Sequence, residues 1–236
     1  GSTYEMDFDD LDRKFSDENT KGMILCSPHN PVGRVWREDE LRKIVDIAKK
    51  YDKWIISDEI HADLALFGHR HTVMASVSEE IAARTLTAMA PSKTFNIAGM
   101  MNSVIIASNP EILEVYNREL TTLHLDLGNI FGHVTLKAAY RYGAGWLEEL
   151  TRYLEGNVQF ALDYFERELP QIKVLKPEGS FLLWLDFRGT GLSHEACGER
   201  LVKIGKIGLN DGLEFGEEGR GFRRMNIGCP RRVLED

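Results

Sequence analysis

Short apolar runs alternate with amphipathic stretches through the first half of the chain. Met23-Ile24-Leu25-Cys26 is apolar throughout and reads as a buried strand. It stops at Ser27-Pro28-His29-Asn30-Pro31-Val32-Gly33, where two prolines and a glycine forbid regular structure. From Glu38 to Tyr51 the apolar positions are Leu41, Ile44, Val45 and Ala48, the stripe of a helix lying on a core. Trp54-Ile55-Ile56-Ser57 is a second strand, closed by Asp58-Glu59. Strand, helix, strand in that order predicts a parallel crossover. A short helix over 77–84 and strands over 85–90 and 104–107 continue the alternation. Asn109-Pro110 then opens a helix to about Leu123, with proline in its first turn.

After Leu123 the pattern changes. Residues 130–142 and 146–169 read as long helices with Gly143 and Gly145 between them. Strands over 174–175 and 181–187 flank Pro177-Glu178-Gly179, a helix covers 193–206, and a last strand covers 223–228. Trp184, Phe181 and Phe187 read as core packing. The fold class expected is α/β, a mixed and mostly parallel sheet with flanking helices over 1–126. A smaller α+β domain over 127–236 follows it and includes the long linking helix. About four strands is few for a doubly wound sheet. The acidic opening Tyr4-Glu5-Met6-Asp7-Phe8-Asp9-Asp10-Leu11 resembles mid-protein sequence, and Gly1-Ser2 reads either as a cloning scar or as native. The expectation is a fragment of a longer chain.

Composition narrows the function classes. The chain is 43% hydrophobic and 28% charged, ordinary for a globular protein. No apolar run approaches the ~20 residues that span a bilayer, so no membrane is expected. A net charge of −8 disfavours nucleic acid as a partner. Cys26, Cys197 and Cys229 form neither a disulfide framework nor a metal motif. A cytoplasmic location is the expectation. His61, His69 and His71 lie near Asp58, Glu59 and Asp63, but the spacing is not that of a zinc site, and no metal is expected.

Three polar positions fall at the carboxyl ends of successive strands: Asn30, Asp58 and Ser92-Lys93. Ligands bind at that edge of open α/β sheets. Together they suit pyridoxal phosphate. That cofactor needs an amine to hold its aldehyde as an imine, an acid beside the pyridine nitrogen, and donors for its ring oxygen and phosphate. An amino-acid carboxylate needs a forked cation such as arginine. Plainer roles stand beside these. Lys93 could be a surface charge, Asp58 a cap, Asn30 a turn residue, His61 a structural histidine, and Arg224 the partner of a carboxylate such as Glu217.

Five motifs occur in one order: Asn30-Pro31-Val32-Gly33, Asp58-Glu59-Ile60-His61, Ser92-Lys93-Thr94-Phe95-Asn96-Ile97-Ala98-Gly99, Pro177-Glu178-Gly179-Ser180-Phe181 and Arg224-Met225-Asn226-Ile227-Gly228. With them the chain resembles the fold type I pyridoxal-phosphate enzymes of the aminotransferase class I/II family. His61, the run 95–99 and the run 222–231 make it most similar to the cystathionine β-lyase or cysteine C–S lyase branch. Ala90 and Asn102, where many aminotransferases carry phosphate-binding serine and arginine, point the same way. The resemblance implies pyridoxal 5'-phosphate as cofactor, Lys93 as its imine lysine and Cα base, and Asp58 at the pyridine nitrogen. It further implies Asn30 at the ring oxygen, Ser92 at the phosphate, His61 at the ring and Arg224 on the substrate carboxylate. The implied reaction is cleavage of cystathionine or another cysteine S-conjugate to thiol, pyruvate and ammonia. The small amino-acid substrate would be handled by a homodimer in the full-length protein. The alternatives are an aminotransferase using the same lysine, and an inert fragment or regulatory interaction module. The resemblance also implies a preceding segment that supplies further strands, a phosphate loop and a ring-stacking aromatic.

Overall fold

A computed structural model describes residues 3–236. Gly1-Ser2, read above as scar or native sequence, lies outside them. The first sheet has four strands in chain order: β1 (Gly22–Cys26), β2 (Trp54–Asp58), β3 (Thr85–Met89) and β4 (Val104–Ala107). β1, β2 and β3 are parallel, and β4 runs antiparallel to β3. A parallel pair needs a crossover, and α2 (Glu38–Lys50) supplies it. Its stripe of Leu41, Ile44, Val45 and Ala48 is buried with Leu25 and Ile55. Each such aliphatic side chain contributes about 1.5–3 kcal/mol on burial. Strand alternation turns Ile24, Trp54 and Ile56 to the other face, where they are 73%, 42% and 45% exposed.

α1 (Phe8–Phe15) was not foreseen, because its acidic residues mask an apolar spacing. Phe8, Leu11 and Phe15 recur at helical intervals and pack on the first core. Asp7 caps the helix by accepting from the amide of Asp10 at 2.8 Å. The helix expected over 77–84 shortens to α3 (Glu79–Ala82), capped by Ser78. α4 (Pro91–Thr94) follows β3, and α5 (Pro110–Thr122) follows β4 with Asn109 as its cap.

α6 (Ile130–Tyr142) and α7 (Ala144–Glu168) meet at Gly143 alone, and Gly145 is inside α7. The physical difference is space. A Cβ on Gly143 would stand 2.5 Å from the carbonyl of Ala139 and from the ring of Phe95, whereas Gly145 faces nothing within 4 Å.

The second sheet is antiparallel, in the order β5 (Lys173–Val174), β6 (Leu182–Asp186), β8 (Phe222–Asn226), β7 (Asn210–Asp211). α7 lays Leu154, Val158 and Ala161 on its core, beside Leu183, Leu185 and Phe187. α8 (His194–Lys203) begins at the cap Ser193, and α9 (Arg231–Glu235) closes the chain described. Trp184 is core, stacked on Phe222 at 5.1 Å.

The two sheets are joined where two motif loops meet. The amides of Glu178 and Gly179 donate to the carbonyl of Gly33 at 2.8 and 3.0 Å. Gly33 has φ +72°, and a Cβ there would stand 2.5 Å from Pro177. The Glu178 carboxylate accepts from Arg34 Nε (2.9 Å) and the Val35 amide (2.8 Å), and Arg34 also reaches buried Glu40.

Candidate active site

β1, β2 and β3 end side by side. Cys26 is in register with Asp58, and Asp58 with Ala88. Asn30 leaves β1 four residues on, its amide donating to Cys26 Sγ at 3.4 Å. Asp58 is half-buried and lies by strand alternation on the open face of the sheet. One of its oxygens receives the amide of Ile60 at 3.3 Å, a local turn contact and not a cap, since the helical turn Ala62–Leu64 that follows has His61 at its cap position; no cation pairs with Asp58 among the described residues. Ser92 and Lys93 sit on α4, directly after β3. Ser92 is half-buried. Lys93 is exposed and makes no hydrogen bond or ion pair among the described residues.

Arg224 comes to this edge from β8. Its Nη1 donates to Asn30 Oδ1 and its Nη2 to Asn210 Oδ1, both at 2.9 Å. Its guanidinium lies 4.9 Å from the ring centre of Phe215, and its Nε is buried without a partner. Glu217, weighed from sequence as its counter-ion, pairs with Arg220 instead. Alternation sends Arg223 to the opposite face, where it is buried with Asp211 and the carbonyl of His194. Arg224 therefore holds a charge faced by two neutral amide oxygens.

His61 is buried beneath this edge. Its Nδ1 meets Ser180 Oγ at 3.2 Å and its ring tilts against Phe181 at 5.5 Å. Burial, and then the positive charges of Lys93 and Arg224, pull its pKa down to about 4. It is a neutral imidazole at pH 7. Phe181, expected in the core, is thus also a wall for His61. Burial likewise lowers the pKa of His29 and raises that of the Cys26 thiol. Ser27 Oγ and His29 Nδ1, either side of Pro28, are buried without partners.

The histidine and acid cluster of 58–71 separates into different duties. Glu59 is buried and accepts from Ser57 (2.8 Å), the amide of Met74 (3.0 Å) and His71 (2.7 Å). Asp63 accepts from Thr94. No grouping of metal-ligating residues exists among the described residues. Asn210 escaped the sequence reading, which named Asp63 only in a rejected metal cluster and Ser180 only inside a motif, with no contact assigned to either. Ser180 carried a signal, since it stands inside a motif, and it adopts φ +73°.

Residues 2–235 match the family aminotransferase class I and II. Cystathionine beta-lyase PatB of Bacillus subtilis strain 168 is 42% identical over 233 residues, which cover 99% of this chain and 60% of PatB. The crystal structure of cystalysin from Treponema denticola, which contains pyridoxal 5'-phosphate, is similar with a TM-score of 0.92 and 40% identity, covering 99% of this chain and 59% of that one. The PLP-bound C–S lyase from Staphylococcus hominis has a TM-score of 0.89 at 35% identity, with the same coverage of 99% and 59%. The chain spans about 60% of the length of the curated relatives it matches.

Proposed function

The chain belongs to the aminotransferase class I and II family, and from that premise we propose that the protein carrying it is a pyridoxal-phosphate-dependent C–S β-lyase. Cystathionine or a related cysteine S-conjugate is the substrate in this reading. The observation that carries it is Arg224, a fixed cation with two amide neighbours and, among the described residues, a buried Nε without a partner and no carboxylate of its own. That arrangement leaves its charge for the carboxylate of an amino acid.

The residues fit the cofactor. Among the described residues Lys93 has no counter-ion to compete for its amine and Asp58 has no cation on its carboxylate; Asn30 is bonded to Arg224, and the charges of Lys93 and Arg224 both reach His61. Asp58 would hold the proton of the pyridine nitrogen, Asn30 the ring oxygen, Ser92 the phosphate and Lys93 the aldehyde carbon. Bound there, the cofactor supplies an electron sink for the substrate Cα. Arg224 fixes the substrate carboxylate, so the Cα–H bond is presented in one direction. Once the substrate amine has displaced it from the aldehyde carbon, Lys93 Nζ would be free to take the Cα proton. The thiolate leaves from Cβ, and the released enamine hydrolyses to pyruvate and ammonia. Neutral His61 adds no positive charge to the pocket.

The same proposal divides the chain near Asp126 into a cofactor-binding part and a smaller part bearing Arg224. It also includes a homodimer, supported by exposed Leu127, Ile130, Phe131 and Val134 around the start of α6. Three free cysteines support the cytoplasm. No helix of the described residues is long and apolar enough to cross a membrane.

The test is direct. The protein, given pyridoxal phosphate and cystathionine, releases pyruvate, and Lys93→Ala abolishes the release. Amino transfer to a keto acid without pyruvate would replace the lyase reading with an aminotransferase. No cofactor absorbance in the wild type would end both.

A further inference from the structure

Lys93 occupies an exposed turn, yet the residues around it are gripped from three places in the chain. Thr94, the next residue, is fully buried. Its hydroxyl donates to Asp63 Oδ2 at 2.8 Å. Asp63 stands two residues beyond His61, on the single helical turn Ala62–Leu64. The same carboxylate oxygen is approached by Tyr140 Oη of α6 at 3.5 Å. Tyr140 stays protonated, because burial and then Asp63 push its pKa up to about 12. Its ring meets Phe95 edge-on at 5.5 Å, and Trp146 of α7 lies tilted against Phe95 at 5.9 Å. Gly143 lets α6 and α7 close on that ring, since any Cβ there would strike it.

From these contacts we propose that Asp63 is a positioning residue for Lys93, a clasp that takes hold of Thr94 and fixes the α4 turn to the His61 segment and to α6. The inference rests on the assignment of Lys93 as the cofactor lysine. Its physical basis is the cost of freeing Thr94. A buried hydroxyl without its acceptor is expensive, so the turn stays docked while the clasp is closed. Lys93, whose side chain makes no hydrogen bond or ion pair among the described residues, inherits its direction from Thr94 and Phe95. The loop that places neutral His61 thereby also places Lys93, and the two keep a constant relation.

Hydrogen–deuterium exchange of the cofactor-free protein reads the turn itself. Thr94→Val and Asp63→Ala should each speed exchange of amides 93–97 about tenfold, the factor for one hydrogen bond to a charged group. The double variant should be no faster than Asp63→Ala alone, because that variant already removes the bond that Thr94→Val removes. Asp63→Asn keeps an amide oxygen for Thr94 and should stay within about threefold of wild type. A second readout adds pyridoxal phosphate, fixes it with borohydride and locates it by peptide mass. Capture on Lys93 should fall about tenfold in Thr94→Val and Asp63→Ala and return in Asp63→Asn, in step with the exchange. Wild-type exchange in Thr94→Val overturns the proposal. So does faster exchange with unchanged capture, which would leave Asp63 a folding role alone, and so does Asp63→Asn behaving as Asp63→Ala. A wild-type protein that fixes nothing on Lys93 would sink the lyase reading. The exchange measurement uses no cofactor and would still decide the clasp.

Discussion

A histidine buried beside a lysine and an arginine has a calculable effect on stability. His61 titrates at about 4 when folded and near 6.5 when the chain is open. Above pH 6.5 it is neutral in both states, so its contribution does not change there. As pH falls from 6.5 to 4 only the unfolded chain takes up the proton, and stability drops by about 3 kcal/mol. Urea titrations at pH 7 and pH 4.5 should show this drop. His61→Gln, which retains a partner for Ser180, should flatten it, and an unchanged pH slope in that variant would refute the assignment. At this scale the sequence was informative about position. Asn30, Asp58 and Lys93 were expected at strand ends and stand at strand ends. The contacts that orient them were hidden. Asp63 to Thr94 and Asn210 to Arg224 join residues distant along the chain, and no local periodicity encodes such pairs.

Elements whose apolar spacing persists over several turns were readable. α2 and β1 match their sequence expectation because each buries one face against the same core. α4, β7 and α9 are too short to show a period, and tertiary contact makes them. The joint between the sheets belongs to this scale too. Arg34 is buried between Glu40 and Glu178, with side-chain exposures of 5%, 7% and 23%. Glu178→Ala should cost about 2–3 kcal/mol, a little under the usual cost of breaking a buried pair because Glu178 is partly wet. It also strips the Val35 amide of its acceptor. Glu178→Gln, able to serve that amide, should lose roughly half as much. Chemical denaturation checks both, and equal losses would show that the amide contact is immaterial.

At the scale of the whole molecule, α2 covers one side of the first sheet, and on the other side, among the described residues, Ile112 and Val115 of α5 border a cavity with Trp54, Ile56 and Leu86. Ile24, Trp54 and Ile56 are exposed on that second side, in line with half-buried Leu86. Residues 1–236 alone should bind anilinonaphthalene sulfonate and associate as concentration rises. Ile24→Lys with Ile56→Lys should reduce both, read by fluorescence and sedimentation. Undiminished dye binding in that double variant would place the sticky surface elsewhere. The architecture was legible as an alternation of strands and helices. The reversal of β4 was not, because direction is a property of pairing and leaves no mark in composition. That reversal matters for Lys93. A parallel β4 would have required the chain to travel the full length of the sheet before returning. Antiparallel pairing instead brings the segment 90–103 out and back at one edge, with Met89 opposite Val104 at its base. Lys93 is therefore carried on a tether stapled at both ends. A tethered amine meets a target already bound at that edge at a fixed effective concentration, so the imine-forming step that follows binding is intramolecular.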